Sequence, residues 1–338
     1  MKLDDIKLIP LMDTLKLQKI SDEVYFSEKY SSYISNSRLG LLNPLQNGTP
    51  EKFFQGFVNQ GYNPSFELGS RTHELILQPE YFELAPDLMR PSAKLGVIAD
   101  KLYPYFIKNT ITDDLVTKFC LEIDYYVSQL TPNRIQSIKD TCNEYWKRRQ
   151  QYETSHETSK IMQYCDAKLL SNVQSCVGNL NNHPQVKSLL HPEGILETPI
   201  SECEQAILLD IKAELPNGKN IILKLKAKLD NYTIDKEANI VTVNDVKTYR
   251  TDLTMNCEAF HYYREFALYF FLLAKCCEKF YNMKDFAMKG NYLGVQTQFP
   301  FRACVLPVKQ QDFKKGLIEM DKLLKYAAYL IGYKNYKF

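Results

Sequence analysis

The sequence predicts an α/β (α+β) fold in which a small central mixed β-sheet is covered by helices. Three observations lead there. Residues 223–230 and 240–248 alternate apolar and polar side chains in period two, as strands with one buried face do. Strand-like runs at 204–213 and 292–308 stand on either side of them. Elsewhere the apolar residues recur at helical spacing, with long patterns at 131–151, 157–180, 255–280 and 312–330.

Composition sets the class. The apolar fraction of 45% and charged fraction of 24% are those of an ordinary globular chain. A net charge of +2 excludes a global basic field, so any nucleic-acid surface must be a local patch. The nine cysteines stand singly apart from Cys276-Cys277, and none has zinc or cluster spacing. Together with the lack of a signal-like start, this predicts free thiols in a cytoplasmic location. Charges interrupt every apolar run before it reaches membrane-spanning length, so no membrane partner is expected.

In chain order, residues 1–30 are expected to form an N-terminal arm with a short helix, and residues 31–338 a single domain. Ile34–Leu42 reads as a capped short helix ended by Asn43-Pro44, and a second short helix is expected from Glu51 to Phe57. Asn63-Pro64-Ser65 then starts a helix from Phe66 to about Leu77, on which Gly69 and His73 share a face. Taken alone, His73 is most often a half-buried core histidine, and Glu74 a solvated helix charge. Helical pieces follow, forming an insertion around 93–190. The basic triplet Lys147-Arg148-Arg149 there is read as a solvated face, and His183 and His191 as surface loop residues. Pro216-Asn217-Gly218-Lys219 is a hairpin turn that delivers the chain into the strand holding Asp230.

The chemistry gathers on that strand and the next. Asp245 and Lys247 lie two apart and therefore share a face. Pairing of the two strands brings Asp230, Asp245 and Lys247 together. Two carboxylates and one amine can hold a hard divalent cation and polarise a water. A lone Asp-x-Lys is usually a surface ion pair, but here the pair sits in a run rich in valine and isoleucine, where charges need a reason. On the helix that follows, Glu265 and Tyr269 are four apart and share a face.

The ordered set His73, Asp230, Asp245-Val246-Lys247 and Glu265 to Tyr269 resembles the PD-(D/E)XK nuclease superfamily. Within it the chain is most similar to phage recombination exonucleases of the RecE-like, YqaJ-like and lambda-exonuclease-like type. Leu68-Gly69-Ser70-Arg71-Thr72-His73 continues as Glu74-Leu75-Ile76-Leu77-Gln78-Pro79-Glu80. That stretch is similar to the family's Gly-Thr-Ala-x-His and Leu-Leu-Leu-Glu-Pro-Glu helix. Lys228-Leu229-Asp230 and Asp245-Val246-Lys247-Thr248 resemble its metal-binding strands. The likeness runs over roughly residues 30–335. One position departs: Glu265 stands where the family often has Gln.

The resemblance implies a restriction-endonuclease-like core and a Mg²⁺-dependent deoxyribonuclease in which Mn²⁺ can substitute. Asp230 and Asp245 are the expected metal ligands and the resemblance adds His73; the strand points the Val246 carbonyl near Asp245 as a further ligand, and Glu204, on the strand before the hairpin, is read as an outer one. Lys247 would orient or deprotonate the water, with Glu265 at the catalytic site. Arg71, Arg38, Tyr269 and Thr248 are the DNA-binding candidates. No iron–sulfur cluster is expected. The implied activity is 5′-to-3′ exonuclease action on duplex DNA ends, with a single-strand annealing protein as partner and a ring-like homo-oligomer as assembly. The alternatives are an endonuclease or single-strand nuclease of the same fold, or a catalytically inactive DNA-binding module.

Overall fold

Long antiparallel pairings build the main sheet, and they follow from the period-two segments. The computed structural model describes residues 3–56, 64–192, 200–334 and 336–338, the side chains of 64 and 65 aside. In chain order the elements are β1 (Lys7–Lys19), α1 (Asp22–Tyr25), α2 (Asn36–Gly40), α3 (Pro50–Gln55) and α4 (Pro64–Leu77). Then come β2 (Phe82–Leu84), α5 (Ala93–Ile107), α6 (Asp113–Glu122), α7 (Pro132–Ser155), β3 (Ile161–Gln163), α8 (Ala167–Asn182) and α9 (Pro184–Leu190). The chain continues with β4 (Ile200–Glu214), β5 (Asn220–Asp235), β6 (Ile240–Tyr249), α10 (Leu253–Ala259) and α11 (Tyr262–Phe280). It ends with β7 (Ala287–Gln296), β8 (Ala303–Pro307) and α12 (Gln310–Lys334). The fold is the expected mixed α/β class, with a central, mostly antiparallel six-stranded sheet flanked by helices.

Contacts divide the chain into two compact units. The first comprises residues 1–58, 182–295 and 303–338; the second comprises 59–181 and 296–302. In the first, the strands lie in the order β1-β4-β5-β6-β7-β8. The apolar faces of β4 (Ile207, Leu209, Ile211), β5 (Leu223, Leu225, Leu229) and β6 (Val241, Val243) pack with Phe266, Leu268, Leu272 and Leu273 of α11 and Leu323 and Leu324 of α12. Full burial of each such side chain contributes about 1.5–3 kcal/mol. A Cβ at Gly316 of α12 would lie 2.2 Å from the Tyr263 carbonyl oxygen of α11, so the bare glycine lets the two helices approach.

The second unit has its own core. Ile98, Ala99 and Leu102 of α5, Val116 of α6, and Cys142 and Trp146 of α7 are all buried there. Arg90 is buried beside Glu67 (2.8 Å) and Asp100 (2.9 Å). Arg149 of the basic triplet is not a free surface cation. Its guanidinium sits 3.9 Å from the ring centres of both Tyr103 and Tyr164 and pairs with Glu153 at 2.9 Å.

Several expectations change. The arm expected over 1–30 holds the short helix α1, but most of it is the 13-residue edge strand β1, paired antiparallel with β4. Pro10 is tolerated at the edge, and a register shift between Leu11 and Lys16 hides the alternation. The helix expected at 157–180 is the strand β3 followed by α8. His183 and His191 flank the helix α9, whose first residue is Pro184. The helix expected from 255 to 280 breaks into α10 and α11 at His261, which has φ 53°. The short helix expected from Glu51 to Phe57 is α3, ending at Gln55. Phe57 and Asn63 lie outside the described residues.

A fork in the sheet positions the site. β5 pairs with β6 only from Asn231↔Asn244 to Asp235↔Ile240. Lower down, the edge of β5 bonds instead to Ile34, whose N–H donates to the Lys224 carbonyl (2.7 Å) and whose carbonyl accepts from Lys226 N–H (3.0 Å). The strands β5 and β6 therefore part, and the first residues past the fork are Asp230 and Asp245.

Candidate active site at the strand fork

A buried asparagine ladder fixes the fork. Asn244 Nδ2 donates to Asn231 Oδ1 at 2.8 Å, and Asn291 Nδ2 donates to Asn244 Oδ1 at 3.0 Å. Asn231 and Asn244 are fully buried, so a slipped register would leave amides without partners. Asp230 follows at once on β5: its Oδ2 accepts from Val246 N–H at 2.7 Å. On the other side, β4 aligns Cys203 with Asn231 and Gln205 with Leu229, so Glu204 faces Asp230. Glu204 adopts φ 57° and pairs with Lys228, which also donates to Asp22 at 2.5 Å.

Lys247 holds the centre. Its Nζ lies 2.8 Å from Asp245 Oδ2 and 3.0 Å from Glu265 Oε2. Asp245 is 1% exposed, Lys247 16% and Glu265 14% as side chains. Tyr269 Oη donates to Glu265 Oε1 at 3.1 Å and so aims the carboxylate at Lys247. The Tyr262 ring lies beneath the ammonium, 4.8 Å from Nζ to the ring centre.

The charges are unequal in sign. Asp230, Asp245 and Glu265 supply carboxylates within electrostatic reach of one another against the ammonium of Lys247, while Glu204, which also acts on Asp230, has Lys228 as its counter-charge. Burial raises Asp230 to about 7, aided by Glu204 and Glu265 and opposed by Lys247. Burial likewise pushes Asp245 well above the carboxylate range, with Glu265 and Asp230 adding to it against Lys247. For Lys247, burial pulls downward, and the charges of Asp245, Glu265 and Asp230 outweigh it, so its affinity for the proton rises.

This excess of buried carboxylate suits a cation. Asp245 Oδ1 is buried without a hydrogen-bond partner. Among the described residues no three His, Cys, Asp or Glu side chains form a ready-made cage. Mg²⁺ does not need one, since it commonly takes one or two carboxylates and completes its shell with water and substrate phosphate. Asp230 and Asp245 fit that donor set.

The expected residues fall into place unevenly. The structure brings Asp230, Asp245, Lys247, Glu265 and Glu204 near one another. Arg38 does not reach for a phosphate: it is 8% exposed, and its guanidinium donates to the carbonyls of Phe53 (2.9 Å), Phe54 (3.0 Å) and Ser31. Tyr269 is buried and serves Glu265 rather than DNA. Thr248 is half-buried, and strand alternation turns it to the other face of β6 from Lys247. His73 and Arg71 are carried by α4 in the second unit, where Arg71 pairs with Glu74 at 3.5 Å. Sequence reasoning missed Tyr262 and the asparagine ladder. The ladder had a signal, since Asn231 follows one aspartate and Asn244 precedes the other.

Glu265→Gln keeps the bond from Tyr269 but removes the charge that holds Lys247. For the nuclease activity proposed below, the Mg²⁺ concentration for half-maximal DNA cleavage, or the DNA KM, should shift by about tenfold, since the lost interaction is worth on the order of 1–3 kcal/mol. Metal and DNA titrations that superimpose on those of the unaltered chain would place Glu265 outside the site. The buried carboxylates also make stability depend on pH. Asp230 binds its proton more tightly in the folded chain than in the unfolded one, so its stabilising effect is complete below about pH 4 and is lost as pH rises through about 7. In chelator, thermal melts should fall in midpoint from pH 5 to pH 8, and Asp230→Asn should flatten that slope. Equal slopes in the two chains would show that Asp230 is not held in this field.

No protein-family model matches the sequence, and no curated protein matches it. Among solved structures the chain is similar to a protein of Eubacterium rectale provisionally named an exonuclease. The identity is 10% and the TM-score 0.45, over 93% of this chain and 86% of that one. It is also similar to Rai1 of Scheffersomyces stipitis, solved with 3′-NADP⁺ and a calcium ion. There the identity is 11% and the TM-score 0.23, over 98% of this chain and 86% of that one. At TM-scores this low, neither likeness bears on the chemistry of the site.

Proposed function

We propose that the chain is a metal-dependent DNA nuclease that hydrolyses phosphodiester bonds, working as an exonuclease from 5′ to 3′ on duplex ends. One observation carries the reading: at the fork of the sheet, Lys247 lies between Asp245 and Glu265 beside the buried Asp230, and Asp245 Oδ1 lacks a hydrogen-bond partner. The resemblance to phage recombination exonucleases supplies the substrate and the polarity. It also supplies a single-strand annealing protein and ring-like self-assembly as the context.

Asp230 and Asp245 would hold Mg²⁺, or Mn²⁺ in its place, with the Val246 carbonyl as a further oxygen. The ion supplies charge to steady the phosphate and to acidify a water. Lys247 orients that water and offsets charge on the phosphate. Glu265 and Tyr269 keep Lys247 in position. Tyr262 covers the ammonium from below and limits its solvation.

The experiment is digestion of linear and covalently closed circular DNA in Mg²⁺. An exonuclease consumes the linear form and spares the circle. Nicking of the circle identifies an endonuclease of the same chemistry, and binding without digestion of either form leaves a DNA-binding module. Ca²⁺ should support binding without turnover, because its looser shell does not position the water.

A further inference from the structure

Beside Lys247 stands an aromatic ledge whose inner ring, Tyr262, packs against the core and whose outer ring, Phe260, is exposed. Phe260 closes α10 and is 53% exposed. It stacks on Tyr262 at 5.7 Å between ring centres and 27° between planes. Tyr262 is the ring that lies under Lys247 Nζ, and it leans in turn on the buried Tyr292 at 6.1 Å. A stack thus runs from solvent to the proposed catalytic ammonium.

The backbone accepts a conformational penalty to present it. His261, next to Phe260, sits in the left-handed region at φ 53°, which costs a non-glycine residue energy. A buried network holds it there. His261 Nδ1 lies 2.9 and 3.0 Å from the two Glu319 oxygens and 2.5 Å from Tyr263 Oη. Glu319 also takes the Arg264 guanidinium at 2.5 Å and the Asn43 amide at 2.8 Å. Arg264 bonds onward to Asn36 and Gln46, and Gln46 Nε2 donates back to the Phe260 carbonyl at 3.4 Å. A straight helix would have needed none of this. The kink separates α10 from α11 and leaves Phe260 at the surface. Strain that its surroundings over-determine, next to a reactive group, is a mark of a functional site.

We propose that Phe260 and Tyr262 form a platform for an unpaired nucleobase, that of the nucleotide whose phosphate meets Lys247. The proposal rests on the nuclease reading and names its substrate as a frayed or single-stranded strand end. A nucleotide presents an anionic phosphate and a π face side by side, and here an ammonium and an aromatic stack stand side by side. Base–aromatic stacking tolerates any sequence, because every base has such a face. A base inside a duplex has both faces covered by its neighbours, so the ledge serves a base at a strand end whose face is uncovered, and most fully one that has left the stack.

The test uses linear DNA with 2-aminopurine as the terminal base of a short single-stranded tail, bound in Ca²⁺ so that it is not cut. Stacking quenches its fluorescence. The unaltered chain should quench it, Phe260→Ala should not, and Phe260→Trp should restore the quench. In Mg²⁺, Phe260→Ala should raise the KM for tailed DNA by about tenfold with kcat changed far less. If Phe260→Ala quenches and cleaves like the unaltered chain, the platform is wrong while the nuclease reading stands. If the unaltered chain digests no DNA at all, the nuclease reading falls, and the platform falls with it.

Discussion

Asp245→Ala is expected to abolish Mg²⁺-dependent DNA cleavage while leaving the fold intact. Burial is the first reason. Asp245 is 1% exposed, and its Oδ1 has no hydrogen-bond partner, so the carboxylate is kept in place without contributing apolar packing. Loss of one group that stabilises transition-state charge typically costs on the order of 10²–10³ in rate, and loss of a metal ligand should reach at least that. Stability should not suffer in proportion. Asp245 is repelled by Glu265 and Asp230, and the alanine variant leaves Lys247 paired with Glu265. Its melting midpoint in chelator at pH 8 should equal or exceed that of the unaltered chain. Cleavage within a few-fold of the unaltered rate would remove Asp245 from the site.

Lys247→Met should damage both activity and stability. The methionine keeps an unbranched apolar stem over the Tyr262 ring but removes the charge between two carboxylates. Activity should fall by about 10²–10³ as the water and phosphate lose their cation. Stability should fall as well, because removing one member of a buried ion pair typically costs about 3–5 kcal/mol by stranding the other. The stability loss should shrink toward pH 5, where Asp230 takes up a proton and no longer needs a counter-charge. Mg²⁺ should restore part of it at pH 8. A melting midpoint that matches the unaltered chain at both pH values would contradict the placement of Lys247 between the carboxylates.

The fork residues were legible because strand alternation is strict there: once Asp245 and Lys247 share a face, only pairing with β5 is needed to add Asp230. Glu265 was legible through helical spacing from the next element. Other features left weaker traces. β1 carries Pro10 and a shifted register, and both erase the two-residue period. The break at His261 has no glycine or proline to announce it; it is imposed by Glu319, 58 residues away. Arg38 and Tyr269 show how residue type misleads about direction. An arginine suits a phosphate, but this one meets three main-chain carbonyls first, and the tyrosine hydroxyl is taken up by Glu265. The roles drawn from resemblance for His73 and Arg71 rest on the sequence motif of α4.

The most direct measurement of whether the strand fork is a metal-dependent nuclease site is nucleotide release from linear duplex DNA in Mg²⁺, repeated in excess chelator and again with Asp245→Ala. Steady release is expected in Mg²⁺, none in chelator with recovery when Mg²⁺ is returned, and none from the variant although it remains folded. Release that persists undiminished in chelator, or that survives in Asp245→Ala, would contradict that assignment.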